Sequence, residues 1–248
     1  MSEDSFAVLN ENSDCALIIT AEHASALIPD GYDNLGLPNA EFSCHIARDK
    51  GVAEITKILA SKLNCFAIMG RYSRLLVDLN RREFEDELIV KVSDKTIVPA
   101  NQNLSEEEKE NRLEKYYRPY YKKVEDQIKY LLSIGKKPVI FSIHSNTPQL
   151  KVGDYRPWQA GVLWHKQTEL ADFLYKKLQT TDKIVGENVP YDLRQYNTGA
   201  AVICGEEKGF DYALIEIRDD EFSDLTNGSK EWADILENIL REYLLCGQ

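Results

Sequence analysis

CALIIT, Cys15–Thr20, is a short continuous apolar run with polar residues on both sides. Such a run fits a strand buried on both faces, as in a parallel sheet. It stops at Ala21-Glu22-His23-Ala24-Ser25, and a polar loop with Pro29, Asp30 and Gly31 follows. From Asp49 to Leu63, apolar residues recur at Val52, Ile55, Ile58, Leu59 and Leu63, which predicts a helix. Asp49 stands where its N-terminus is expected, and a negative charge suits that end of the dipole. CFAIM (Cys65–Met69), PVIFSI (Pro138–Ile143), Gly161–Trp164 and ALIEI (Ala213–Ile217) read as further strands, with a shorter one at Leu75–Asp78. Asp94–Leu104 reads as a polar loop. Ser105 and Glu108 then form a capping-box pattern that opens a long helix to Ser133, kinked at Pro119 and ended by Gly135. Thr168–Leu178 and Trp232–Leu245 are amphipathic helices. Strands alternating with helices predict one α/β domain over residues 1–248, with a mixed, mostly parallel sheet flanked by helices. Ligands in such sheets bind beyond the carboxyl ends of strands.

Composition narrows the partners. The chain of 248 residues has 43% hydrophobic and 29% charged residues, ordinary values for a globular protein. Its 41 acidic and 30 basic residues leave a net charge of −11, which argues against nucleic acid and against an anionic membrane surface. A local basic pocket for a small anionic substrate remains compatible with that balance. The five cysteines are scattered without CxxC spacing, so reduced thiols and a cytoplasmic location are expected. The polar N-terminus does not look like a secretory signal, and no apolar run approaches the roughly 20 residues that span a bilayer. Oligomeric state has no signature in the sequence.

Chemistry-capable residues gather at the predicted strand ends. His23 follows the first strand and His144 follows PVIFSI, and neutral imidazole is the commonest metal ligand. A catalytic zinc takes three protein ligands and keeps one position open. Glu22, Asp49, Asp78 and Glu216 are the carboxylates available to complete a set. The competing account is that each histidine satisfies backbone groups near a loop. His45 and His165 lack matching carboxylates at strand ends and read as structural. In SRLLVDLNRR (Ser73–Arg82), with Arg71 just before it, arginines cluster within an acidic chain. Arginine matches a carboxylate with a planar fork of donors. Ion pairs with Glu83, Glu85, Asp86 and Glu87 are the alternative, fitting Arg82 best. Glu216 sits between Ile215 and Ile217, where burial would raise its pKa and suit a general base. A structural pair with an arginine explains it equally well. YYRPYY (Tyr116–Tyr121) reads as a helix packing face rather than an entrance lining. Tyr191 and Tyr196 lie in a loop that either closes over the site or merely connects.

These segments together resemble the N-formylglutamate amidohydrolase family. The matching pieces are Glu22-His23-Ala24-Ser25 with Ile28-Pro29, Asp49-Lys50-Gly51-Val52, SRLLVDLNR, His144-Ser145-Asn146-Thr147-Pro148, and Glu216-Ile217-Arg218. They follow the family's order over most of the chain, and SRLLVDLNR is the most specific. The family is similar in fold to zinc exopeptidases, so the resemblance implies a three-layer α/β fold of that type. It implies His23 and His144 as metal ligands, Glu216 as general base and Arg74 as the residue that polarises the scissile carbonyl. It implies Asn80 and Arg81, with Arg71, as the holders of a substrate carboxylate. It also implies one divalent metal ion, zinc being the first choice. Carboxypeptidases carry a glutamate ligand three residues after the first histidine, but here that residue is Ala26. Asp49 is our choice for the third ligand, with Glu22 and Asp78 open. The implied reaction is hydrolysis of N-formyl-L-glutamate to formate and L-glutamate in histidine breakdown. A carboxypeptidase-like peptidase, another N-acyl amino-acid deacylase, and a non-catalytic binding module are the alternatives.

Overall fold

The computed structural model describes residues 5–246. In chain order the elements begin with β1 (Phe6–Leu9), β2 (Leu17–Ala21), α1 (Val52–Leu63), β3 (Phe66–Gly70), β4 (Val92–Ser93), β5 (Thr96–Ile97), α2 (Glu106–Arg112) and α3 (Arg118–Ser133). They continue with β6 (Val139–Asn146), β7 (Ala160–Leu163), α4 (Glu169–Leu178), β8 (Val185–Glu187), α5 (Ala200–Cys204), β9 (Asp211–Arg218) and α6 (Leu225–Cys246). Seven strands form one sheet in the order β1-β3-β2-β6-β9-β7-β8. The central four, β3, β2, β6 and β9, are parallel. At the edges β1 runs antiparallel to β3, and β7 runs antiparallel to β9. This is the mixed, mostly parallel sheet the sequence predicts.

The apolar runs are buried for the reason that identified them. Leu17, Ile18, Ile19, Phe66, Ala67, Ile68, Ile140, Phe141 and Ile215 are fully buried, since helices cover both faces of the central strands. Helices α1, α4 and α6 form one layer, and α3 and α5 pack on the sheet from the other side. In α1 the buried positions Val52, Ile55 and Leu59 follow the helical repeat. Thr168 caps α4 by accepting from the Ala171 amide at 3.2 Å. Ser105 caps α2 in the same way through the Glu108 amide at 3.1 Å. A second, smaller core of Leu35, Leu37, Ile46, Ala47, Leu75, Leu76 and Val98 lies beneath the loops.

Several expectations change. Leu75–Asp78 is a buried turn, not a strand, because its carbonyls are taken by side chains: Asn101 donates to Leu75 and Arg112 to Leu76. The stretch read as a loop at 94–104 includes strand β5, paired with β4. The long helix from 105 runs to Ser133 as expected, but a π-helical turn at Leu113–Tyr117 is set into it just ahead of Pro119. Strand β6 continues through His144 to Asn146, so that histidine sits in the strand. The edge strands β1 and β8 are additional to those expected.

Candidate active site

The β6–β9 register sets the first two residues. His144 pairs with Glu216, and Gly161 of β7 flanks Glu216 on its other side. His23 stands two residues past the end of β2, and its carbonyl accepts from the Asp49 amide at 2.9 Å. That bond brings Asp49 back to the sheet before α1 begins. The turn between them uses Gly51 at φ +80°, where an added Cβ would lie 2.6 Å from the Phe222 ring. Only glycine satisfies both the left-handed backbone and the close approach.

His23, Asp49 and His144 are buried, and one ligand atom from each lies within 4.8 Å of the others. Both histidines turn Nδ1 toward Asp49 Oδ2, at 3.4 Å for His23 and 2.8 Å for His144. The Ser145 amide donates to the same oxygen at 3.2 Å. The opposite ring nitrogens are held by the other two carboxylates. Asp78 Oδ1 is 2.7 Å from His23 Nε2, and Glu22 Oε2 is 2.9 Å from His144 Nε2. Glu22 is fixed in turn by hydroxyl donors from Tyr120 at 3.0 Å and Ser142 at 2.9 Å. A carboxylate on the far nitrogen of a ligating histidine fixes tautomer and ring orientation and raises basicity. Of the three carboxylates left open as third ligand, Asp49 therefore converges on the imidazole Nδ1 atoms, while Glu22 and Asp78 face the outer ring edges. Two nitrogens and one oxygen form a donor set that fits a divalent cation with an open position, zinc among several.

The electrostatics follow from this packing. Burial opposes ionisation of Asp49, but the two imidazoles overcome it and hold the carboxyl below its usual range. Burial likewise opposes the charge on Asp78, yet Arg74 and His23 hold that carboxyl well below its ordinary value. For His144, burial disfavours the cation, but the bonds to Asp49 and Glu22 raise its pKa to about 10. Glu216 behaves oppositely. Burial pushes its carboxyl up, and Oε2 has no hydrogen-bond partner among the described residues.

These residues open into a cavity of about 310 Å³ that includes His23, His144, Glu216, Arg74, Asn80 and Arg81 in its wall. Arg74 grips Asp78 Oδ2 through Nη2 at 2.8 Å and Nε at 3.1 Å, and its Nη1 is 3.8 Å from Asp49 Oδ1. Asn80 uses its side-chain oxygen to accept from the Ala200 amide at 3.0 Å, which leaves its NH₂ to donate elsewhere. Arg81 is paired with Glu87 at 3.2 Å and Glu85 at 3.9 Å, so the local ion-pair account applies to it. Arg82, which the local ion-pair account fits best in the sequence, pairs instead with distant Glu207 at 2.6 Å. Arg71 lies just past β3, with its amide bonded to the Ser5 carbonyl, and is not part of the cavity wall. His45 pairs with Asp94 and His165 with Glu206, both away from the histidine pair.

The tyrosine stretch is a packing face with a further task. Tyr117 and Tyr121 donate to the carbonyls of Arg81 and Leu79 at 2.7 Å each, while Tyr120 reaches Glu22. The loop holding Tyr191 and Tyr196 does reach the cavity, and both tyrosines line it with Leu193 and Thr198. The sequence offered both readings of that loop without a feature to decide between them. Leu163, Leu214 and Ser145, with Glu85 and Glu87 beside Arg81, complete the wall. Leu214 has the period-2 spacing to Glu216 as its signal.

Fold and site define a class: an α/β protein whose mostly parallel sheet carries a His–Asp–His candidate metal centre and a buried carboxyl near the carboxyl ends of its central strands. Residues 15–223 match the N-formylglutamate amidohydrolase family, and the chain belongs to that family. It is similar to the structure of gene product Atu2144 from Agrobacterium tumefaciens, with 27% identity, a TM-score of 0.92, and coverage of 99% of this chain and 96% of that one. The N-formylglutamate amidohydrolase from Ralstonia eutropha JMP134 shares the fold at 18% identity and a TM-score of 0.75, over 99% and 100% of the two chains. No curated protein sequence matches. Among the described residues no helix is long and apolar enough to cross a membrane.

Proposed function

We propose that the protein is a metal-dependent amidohydrolase that converts N-formyl-L-glutamate and water to formate and L-glutamate. The observation that carries this reading is the placement of Glu216. Its unpartnered carboxyl lies one strand from His144, in the same cavity as the His–Asp–His group. A divalent cation held by His23, Asp49 and His144 would supply Lewis-acid polarisation and lower the pKa of a bound water.

The chain's own residues do the rest. Glu216, raised by burial, takes a proton at Oε2 from the attacking water as its oxygen bonds to the formyl carbon, and returns it to the amine as the C–N bond breaks. Arg74 stays cationic and is locked by Asp78, so its guanidinium is already oriented to stabilise negative charge developing on the amide oxygen. Asn80 donates its NH₂ to the α-carboxylate. Arg81 joins it by exchanging Glu87, a largely exposed partner, for the substrate. A small anion held in an acidic chain accounts for this concentration of guanidinium groups, and a cytoplasmic role in histidine breakdown is the setting we propose. Leu163, Leu193 and Leu214 in the wall favour a second reading, in which the acyl group is larger than formyl.

The test is metal analysis with formate assay, using N-formyl, N-acetyl and N-succinyl amino acids. Stoichiometric metal, lost in His23→Ala, and formate release, abolished in Glu216→Gln with metal retained, are expected. Protein that never holds metal and releases no acyl group from any substrate refutes the enzymatic reading.

A further inference from the structure

The proposed substrate has two carboxylates, and Asn80 with Arg81 accounts for one. We propose that Tyr191 and Arg156 form the subsite for the other, the side-chain carboxylate of an N-acyl dicarboxylic amino acid. This rests on the function proposed above. Tyr191 makes the contact, and Arg156 is a positioning residue behind it.

Tyr191 is part of the cavity wall with Arg74, His144 and Glu216, and it is 42% exposed at the mouth. Arg156 donates from Nη1 to the Tyr191 hydroxyl at 3.2 Å, and its guanidinium carbon stands 4.9 Å from the centre of the same ring. Because the hydroxyl accepts that bond, its own proton is left to donate to a ligand. Donation from a hydroxyl already bonded to a cation is strengthened, and a carboxylate is the acceptor that gains most.

Arg156 also lacks a counter-charge. Arg74 and Arg81 each hold a carboxylate, whereas Arg156 makes no ion pair among the described residues. Its second bond, also from Nη1, goes to the Thr147 carbonyl at 3.2 Å. A half-buried cation without an acid partner, beside a cavity in a chain of net charge −11, is complementary to an anionic ligand.

The position of Arg156 is fixed from the catalytic strand. Arg218 lies two residues beyond Glu216 on β9, and its Nη1 donates to the carbonyls of Arg156 and Pro157 at 3.0 Å each. The Arg156 amide donates to the Pro148 carbonyl at 2.8 Å. Strand β9 thus carries both the proposed base and the anchor for the distal cation.

The experiment compares N-formyl-L-glutamate with N-formyl-L-glutamine, a neutral near-isostere, on the metal-loaded protein and on Arg156→Met, Arg156→Lys and Tyr191→Phe. Removing the cation that holds and polarises the Tyr191 hydroxyl should lower the glutamate-to-glutamine ratio of kcat/KM by about 10-fold in Arg156→Met, chiefly through KM. Arg156→Lys should recover part of the ratio, and Tyr191→Phe should lower it. Equal loss on both substrates, or an unchanged ratio, assigns the pair to loop structure and overturns the inference while leaving the amidohydrolase reading intact. Calorimetric binding of glutarate and its monoamide separates the remaining case. If the wild type cleaves neither substrate, the proposed function falls. Preferential glutarate binding that is lost in Arg156→Met then upholds the subsite, and binding indifferent to the substitution refutes it.

Discussion

Metal binding at His23, Asp49 and His144 should release a proton, and its affinity should follow pH with a slope fixed by His144. In the metal-free protein the His144 pKa is raised to about 10: burial alone would lower it, but Asp49 on one ring edge and Glu22 on the other overcome that cost. The proton and the metal compete for Nδ1, since Nε2 is turned to Glu22. Below about pH 10, each unit of acidification should therefore weaken the ion tenfold. Between pH 8 and pH 6 the loss is about a hundredfold, or about 2.7 kcal/mol. Titration calorimetry with zinc, repeated in buffers of different ionisation enthalpy, measures both the slope and the number of protons released. About one proton per ion is expected. Affinity that is flat between pH 6 and 8, or binding without proton release, would refute the assignment of His144 as a ligand through Nδ1.

Three further predictions use the same geometry. The metal-free protein should lose stability as pH rises. The folded pKa of His144 lies above its unfolded value of roughly 6.5, so its contribution is complete below that value and disappears on passing about 10; thermal melts across pH 7–10 check the direction. Glu22→Gln keeps the shape but removes the charge from His144 Nε2, and should weaken metal binding by about 10- to 100-fold in a chelator competition. Gly51→Ala places a methyl against Phe222 in a left-handed turn, and should cost about 1–3 kcal/mol in a denaturant titration; a change below ~0.3 kcal/mol would show that the turn relaxes freely.

The parts of the fold that were legible from sequence share one property. CALIIT, CFAIM, PVIFSI and ALIEI form the central strands, where two-sided burial leaves an unbroken apolar run. The edge strands β1 and β8 are short and partly exposed, so they leave no comparable pattern. Leu75–Val77 shows the opposite failure. Its burial is real, but Asn101 and Arg112 satisfy backbone groups that would otherwise need a neighbouring strand, and an apolar run cannot reveal that substitution. Within the site, the two histidines were legible beside buried apolar runs, although His144 lies inside β6 rather than past its end. The choice among Glu22, Asp49 and Asp78 depended on which edge of each ring a carboxylate meets, a three-dimensional fact with no local signature. Arg81 likewise looked available because its pairing with Glu87 closes through a turn rather than along a helix.

The hydroxyls of Tyr117, Tyr120 and Tyr121 come from a single stretch of chain around the π-helical turn and α3, yet they serve two parts of the site. One grips Glu22 behind His144 of the candidate metal centre, and the others grip the carbonyls of the Leu79–Arg81 corner. A shift of that helix would move both together. Changes in its outer packing, well away from the cavity, would therefore displace the candidate metal centre and the Leu79–Arg81 corner in concert. Substitutions in this helix have little freedom to adjust one part of the site without disturbing the other. The two loops that bring Arg156 and Tyr191 together, one after β6 and one after β8, offer a route that leaves the helix alone.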